Sequence, residues 1–137
     1  SDPIRKRFRH VISEAGRVEV SREAMLAADA ETFGALMCNS HASLRDDYEV
    51  SHGALDGLVD ITMAAGAHGA RLTGAGLGGC IVALCLEDRV HVVVDALRCE
   101  FYGPRGVDHP LEEHLIVAEP SDGATVEALA GGLGRPE

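Results

Sequence analysis

A chain of 137 residues that is 46% hydrophobic has the size of one domain and buries enough surface to fold without a disulfide or metal staple. Its formal net charge of −10 excludes nucleic acid as a partner, because that binding depends on Lys and Arg neutralising phosphates. No apolar run of about 18 residues and no secretory leader are present, which speaks against a membrane and for the cytoplasm.

The chain starts without Met, at Ser1-Asp2-Pro3, and reads as a fragment or a processed chain. Asp2-Pro3 is a good helix start, with Asp as cap and Pro in the first turn. Ile4, Phe8, Val11, Ile12 and Ala15 follow at helical spacing. Gly16 either ends or merely weakens this helix, and Ser21 can cap a short continuation with Met25 and Leu26. Six of the 12 basic residues fall in the first 22 positions, either as a solvated helix face or as a contact with a separate domain.

Asp29 is placed to cap a second helix with the stripe Phe33, Leu36, Met37, Ser40 and Leu44. His41 lies at the edge of that stripe and reads as a satisfied, partly buried histidine. Residues 45–51 (Arg-Asp-Asp-Tyr-Glu-Val-Ser) break the periodicity and read as a loop. That loop is either solvated or positions something beside it. Adjacent Asp46 and Asp47 alone are poor evidence for a metal, and none is assigned.

Ser51 is a plausible cap for a third helix carrying Leu55, Leu58, Val59, Thr62 and Met63, ended by Gly66. A short strand around Ala70 and Leu72 leads into Gly74-Ala75-Gly76-Leu77-Gly78-Gly79, and a buried strand, Cys80 to Leu86, leaves it. Glu87-Asp88-Arg89 is a turn, with Asp88 as a candidate cap. Residues 90–102 fit a strand by their valines and a helix by their spacing; helix is the reading taken. A loop over 103–110, a strand at 115–118, a turn at 120–123, a short strand at Thr125-Val126 and a Gly-rich tail after Ala130 complete the chain. Cys38, Cys80, Cys85 and Cys99 show no metal-ligand spacing and read as buried small hydrophobes in a reducing compartment.

The glycine run formally satisfies Gly-x-Gly-x-x-Gly at 74, 76 and 79. A dinucleotide fingerprint requires a helix after the glycines, whereas a strand follows here. A P-loop or a protein-kinase loop requires a lysine, and the chain's single lysine is Lys6. What survives is a strand–loop–strand whose free N–H groups either form an anion-binding nest or simply make a hairpin.

The segment from Gly69 through Cys80 resembles the third signature motif of the GHMP small-molecule kinases. Asn39-Ser40-His41, then Leu44 and Ser51, resembles the same superfamily. The run from Ser40 to Ser51, with Arg9-His10-Val11-Ile12-Ser13-Glu14 and Pro120-Ser121-Asp122-Gly123-Ala124, is similar to galactokinases in collinear order over residues 2–126. Leu77 stands where galactokinases usually have Phe, His52-Gly53-Ala54 replaces the usual Cys-Pro-Glu, and residues 87–114 match poorly.

The resemblance implies an α+β, ferredoxin-like C-terminal domain over residues 1–137, with an antiparallel sheet and helices packed on one face. It implies transfer of the γ-phosphoryl of Mg-ATP to galactose in the full enzyme. ATP and Mg2+ would be bound mainly by an N-terminal domain that also holds the catalytic aspartate and arginine; no residue of this chain is assigned as catalytic. The phosphate-side loop would be Thr73, Gly74, Ala75, Gly76, Gly78 and Gly79, supported by His41, Arg45 and Tyr48. The chain alone would be inactive, would pair with the N-terminal domain, and can self-associate through an uncovered apolar face. The alternatives are a non-catalytic interaction or sensory module with the same fold, or a kinase of another sugar.

Overall fold

The computed structural model describes residues 2–106, 113–119 and 122–126. Helix α1 (Asp2–Leu26) is followed by α2 (Ala30–Ser43), a π-helical turn at Leu44–Tyr48, and α3 (Gly53–Ala64). Strands β1 (Gly69–Thr73) and β2 (Cys80–Leu84) come next, then α4 (Val90–Ala96) and a second π-helical turn at Leu97–Tyr102.

The first helix differs most from its sequence pattern. It runs unbroken through Gly16 and Ser21, so neither ends nor restarts it. Its apolar stripe does not enter the core: Ile4, Val11 and Ile12 are exposed, and Phe8 is 66% exposed. The two residues that are buried are His10 and Ala24. His10 Nδ1 lies 2.9 Å from Ser43 Oγ, and the His10 ring stacks on Tyr48. Charge complementarity orients the helix: Lys6 and Arg7 pair with Glu49, and Arg9 pairs with Asp47. Arg7 also donates to the Asp47 carbonyl. At these three residues the basic N-terminal cluster is a solvated face that pairs within the chain. It clamps the acidic turn that follows α2.

Asp29 caps α2 as expected, accepting from the Thr32 N–H at 2.9 Å. Met37 and Ser40 of the expected stripe are buried. The stretch read as a loop from Arg45 instead continues α2 as the π-helical turn, stopped when Glu49 turns to φ 60°. Ser51 does not cap α3; the His52 ring does, accepting from the Ala54 N–H at 3.2 Å. Leu55, Val59 and Thr62 form the buried face of α3, and Gly66 ends the helix region at φ 95°.

β1 and β2 are antiparallel, with Gly69 opposite Leu84 and Thr73 opposite Cys80. Helices α2 and α3 pack against β1, and α3 also reaches β2. Ala70 and Leu72 of β1 are buried beneath them. Ala67, Val93 and Leu97 form a second cluster with Leu58, Ile61 and Met63 of α3. The α+β class inferred from the resemblance is the one observed.

Four details differ. β2 is short and half exposed rather than buried, because among the described residues its second edge has no partner strand. The expected strands at 115–118 and 125–126 are not formed; Ile116, Val117 and Val126 are exposed. Cys80 and Cys99 are exposed, and Cys38 and Cys85 partly so, which corrects their reading as buried. Asp88 does not cap α4, although residues 90–102 are helical as read. Of the expected loop over 103–110, residues 103–105 form a 3-10 turn; residues 107–110, Pro120-Ser121 of the turn, and the tail after Ala130 lie outside the described residues.

Candidate functional site: the glycine loop

The loop of residues 74–79 joins β1 to β2, closed at its base by the Thr73–Cys80 pair. Gly74, Gly76, Leu77, Gly78 and Gly79 all have positive φ, between 61° and 140°. That conformation explains the glycine run, since a Cβ is disfavoured there. Leu77 is the exception. It holds φ 61° with its side chain 79% exposed, so burial does not compensate the strain. A backbone bond holds it instead: the Leu77 N–H donates to the Val50 carbonyl at 2.7 Å.

Gly76 has a second reason to lack a side chain. A Cβ there would lie 2.6 Å from the Val50 oxygen and 2.7 Å from its Cβ. The loop tip thus rests on the segment after the π-helical turn. Gly74 and Gly78 face open space, leaving their backbone accessible.

Below the loop sits His41, 4% exposed. Its Nδ1 accepts from the Leu72 N–H at 3.2 Å. Its Nε2 faces Asp56 Oδ1 at 3.2 Å without an aligned hydrogen bond. Burial pushes the imidazole pKa below its ordinary value, against the attraction of Asp56 and Asp60 and with the repulsion of Arg45. The ring is therefore neutral near pH 7, with its proton on Nε2 because Nδ1 is an acceptor. Asp56 Oδ1 also accepts from Ser51 Oγ at 2.6 Å.

Arg45 and Tyr48 engage other groups. Arg45 makes a forked pair with its neighbour Asp46, and Tyr48 is stacked on His10 with the Arg7 guanidinium over its ring. Asp46 and Asp47 are thereby held by Arg45 and Arg9. A further polar node lies under α1. Glu14 accepts from Ser40 Oγ at 2.6 Å, Arg17 Nε at 2.8 Å and Arg71 Nη1 at 3.1 Å, tying α1, α2 and β1 together. Burial opposes ionisation of Glu14, but the Ser40 and Arg17 hydrogen bonds and the Arg17 and Arg71 charges prevail and lower its pKa.

Residues 21–103 match the family described as GHMP kinases C terminal. The chain belongs to the GHMP kinases. Its structure is similar to galactokinase from Lactococcus lactis, solved with galactose: 39% identity over 77% of this chain and 28% of that one, TM-score 0.72. It is also similar to L. major mevalonate kinase, solved with R-mevalonate: 30% identity over 62% of this chain and 26% of that one, TM-score 0.58. This GHMP kinase chain thus spans just over a quarter of the solved kinases it matches.

Val50 and Asp56 were not singled out from the sequence. Asp56 reads there as one more acidic residue in a helix's first turn. Its bond to Ser51 is local, five positions away, but its nearness to His41 of the preceding helix arises only when α2 and α3 both pack on β1. Glu14 and Arg71 were likewise missed, being 57 positions apart.

Proposed function

We propose that the chain is the C-terminal domain of a galactokinase-like sugar kinase, which in its full form transfers the γ-phosphoryl of ATP to the anomeric hydroxyl of galactose. The observation that carries this reading is the 39% identity to the Lactococcus lactis galactokinase over 77% of the chain. The exposed Thr73, Gly74, Ala75 and Gly79 and the half-buried Gly78 support a role on the phosphate side, where N–H groups counter the charge of a phosphoryl in transfer, while Gly76 seats the loop against Val50. ATP fits that backbone. Mg2+ does not fit the acids beside it, since Asp46 and Asp47 are already engaged by arginines. The metal and the acid–base chemistry are therefore assigned to an N-terminal domain.

That domain is also the proposed cover for the exposed Ile4–Phe8–Val11–Ile12 face of α1. Among the described residues no helix is long and apolar enough to cross a membrane. A cytoplasmic location is proposed, where ATP is available and the four unpaired cysteines stay reduced.

The test is to sequence the coding region upstream of Ser1 and assay the whole product for ADP release with galactose, mevalonate and other sugars. An in-frame kinase half with galactose-dependent turnover is the expected result. A start codon immediately before Ser1 overturns the reading in favour of a non-catalytic module, and turnover on another substrate alone overturns the sugar assignment. The 137 residues alone are expected to release no ADP.

A further inference from the structure

We propose that His41, Asp56 and Ser51 form a positioning bracket that grips the glycine loop at its entry and at its tip, and so sets the direction of its backbone N–H groups. The entry grip is His41 Nδ1 on the Leu72 N–H, two residues before Gly74. The tip grip is the Val50 carbonyl on the Leu77 N–H. Between the two lies a path of polar contacts rather than a continuous hydrogen-bond chain: His41 Nε2 is 3.2 Å from Asp56 Oδ1 without an aligned hydrogen bond, and the same oxygen accepts from the hydroxyl of Ser51, the residue next to Val50.

Three observations favour a bracket over ordinary core satisfaction. First, one end of the path bonds the β1 backbone at Leu72, two residues before the loop, and the other ends on Ser51, next to the Val50 carbonyl that bonds the loop at Leu77. Second, Ser51 is released from capping, because the His52 ring caps α3; its hydroxyl is free to fix the Val50–Ser51 segment. Third, Leu77 keeps a strained φ with no side-chain burial to stabilise it, so an external grip must. A buried imidazole touching a carboxylate is a costly way to fill a core, and apolar packing serves that purpose better. His41 contacts no reacting group in this scheme; it acts through Leu72 and Asp56.

The inference rests on the phosphate-side reading of the loop, and the test separates the two. Amide hydrogen exchange is measured by NMR in the 137-residue chain, with Val93 as the core reference. S51A is expected to speed exchange at Leu77 at least tenfold, with Val93 changed less than twofold. D56A is expected to do the same; if D56A unfolds, D56N, which keeps an acceptor for Ser51, is expected to leave Leu77 slow and disturb only the His41 ring signals. H41N, whose amide oxygen can take the place of Nδ1, is expected to preserve protection at Leu72, while H41A loses it.

The 15N shifts of His41 are expected to show the proton on Nε2. Unchanged Leu77 exchange in S51A, or a proton on Nδ1, overturns the bracket. Separately, inorganic phosphate is added against chloride at matched ionic strength. Shifts at Gly74–Gly79 that weaken in S51A support the bracket as a positioning device. A loop that ignores phosphate in the wild type, with Leu77 exchange still dependent on Ser51, overturns the phosphate reading and leaves the bracket standing.

Discussion

Gly34 of α2 and Gly69 of β1 bring helix and strand into backbone contact. A Cβ on Gly34 would lie 2.9 Å from the Gly69 nitrogen and closer still to the His68 carbonyl, and a Cβ on Gly69 would lie 2.5 Å from the Gly34 Cα. This contact sets the depth at which α2 sits on β1, and with it the reach of His41 to Leu72 in the same pair of elements.

Replacing either glycine should therefore separate α2 from β1. G34A and G69A are each expected to destabilise by about 1–3 kcal/mol or more, as overpacking does. Gly16, mid-helix with nothing within 4 Å, is the contrast: G16A is expected to stabilise by roughly 0.5–1 kcal/mol. Urea unfolding midpoints check both. Equal midpoints for G34A and wild type would show that the helix can shift without cost.

At the loop tip, L77G should relieve the positive φ and lose little packing, because the Leu77 side chain is exposed. A gain of up to about 1 kcal/mol is expected. G76A carries both a Cβ clash with Val50 and φ 80°, and should cost roughly 1–3 kcal/mol. Thermal denaturation of the two variants reads the difference, and a G76A protein as stable as L77G would contradict the close approach.

One buried and one half-buried group predict the acid limb of stability. His41 has its pKa lowered from 6.5 by burial, so the unfolded chain takes up a proton there first. Stability is full above pH 6.5 and declines as pH falls towards the lower folded value. Glu14 is likewise lowered from 4.5, so its contribution is present above pH 4.5 and lost as pH falls through the folded value. Urea midpoints against pH should fall in both ranges. H41N should flatten the upper range and E14Q the lower; a slope below pH 6.5 that survives H41N would assign that limb to another group.

The outward stripe of α1 predicts association of the chain by itself. Sedimentation is expected to show a mass that rises with concentration, and F8S with I12S is expected to suppress the rise with little loss of stability, since both residues are exposed. A monomer at all concentrations would count against it.

The legibility of the fold varied with how local its causes were. Asp29 capping α2 and Gly66 ending α3 are decided within a few residues and could be read directly. The strand–loop–strand around the glycines was equally readable, because alternation and glycine density are local signals. The π-helical turn at Leu44–Tyr48 was not: its register is fixed by Arg7, Arg9 and His10 reaching across from α1. Nor was β2's exposure, which depends on whether another strand lies beside it.

The sequence by itself determined where α2, α3 and the strand–loop–strand lie, the glycine loop and the family to which that loop belongs, because these follow from short-range backbone preferences and a contiguous motif. Only the tertiary structure decided which side of α1 faces inward. Periodicity locates an apolar stripe but does not say where it points; here His10 and Ala24 are buried, and surface pairs of Lys6, Arg7 and Arg9 with Asp47 and Glu49 tie the helix to the turn after α2. The tertiary structure likewise decided what holds the glycine loop. His41 of α2, the Val50–Asp56 stretch leading into α3, and Leu77 of the loop come from separate elements, and only packing brings them together.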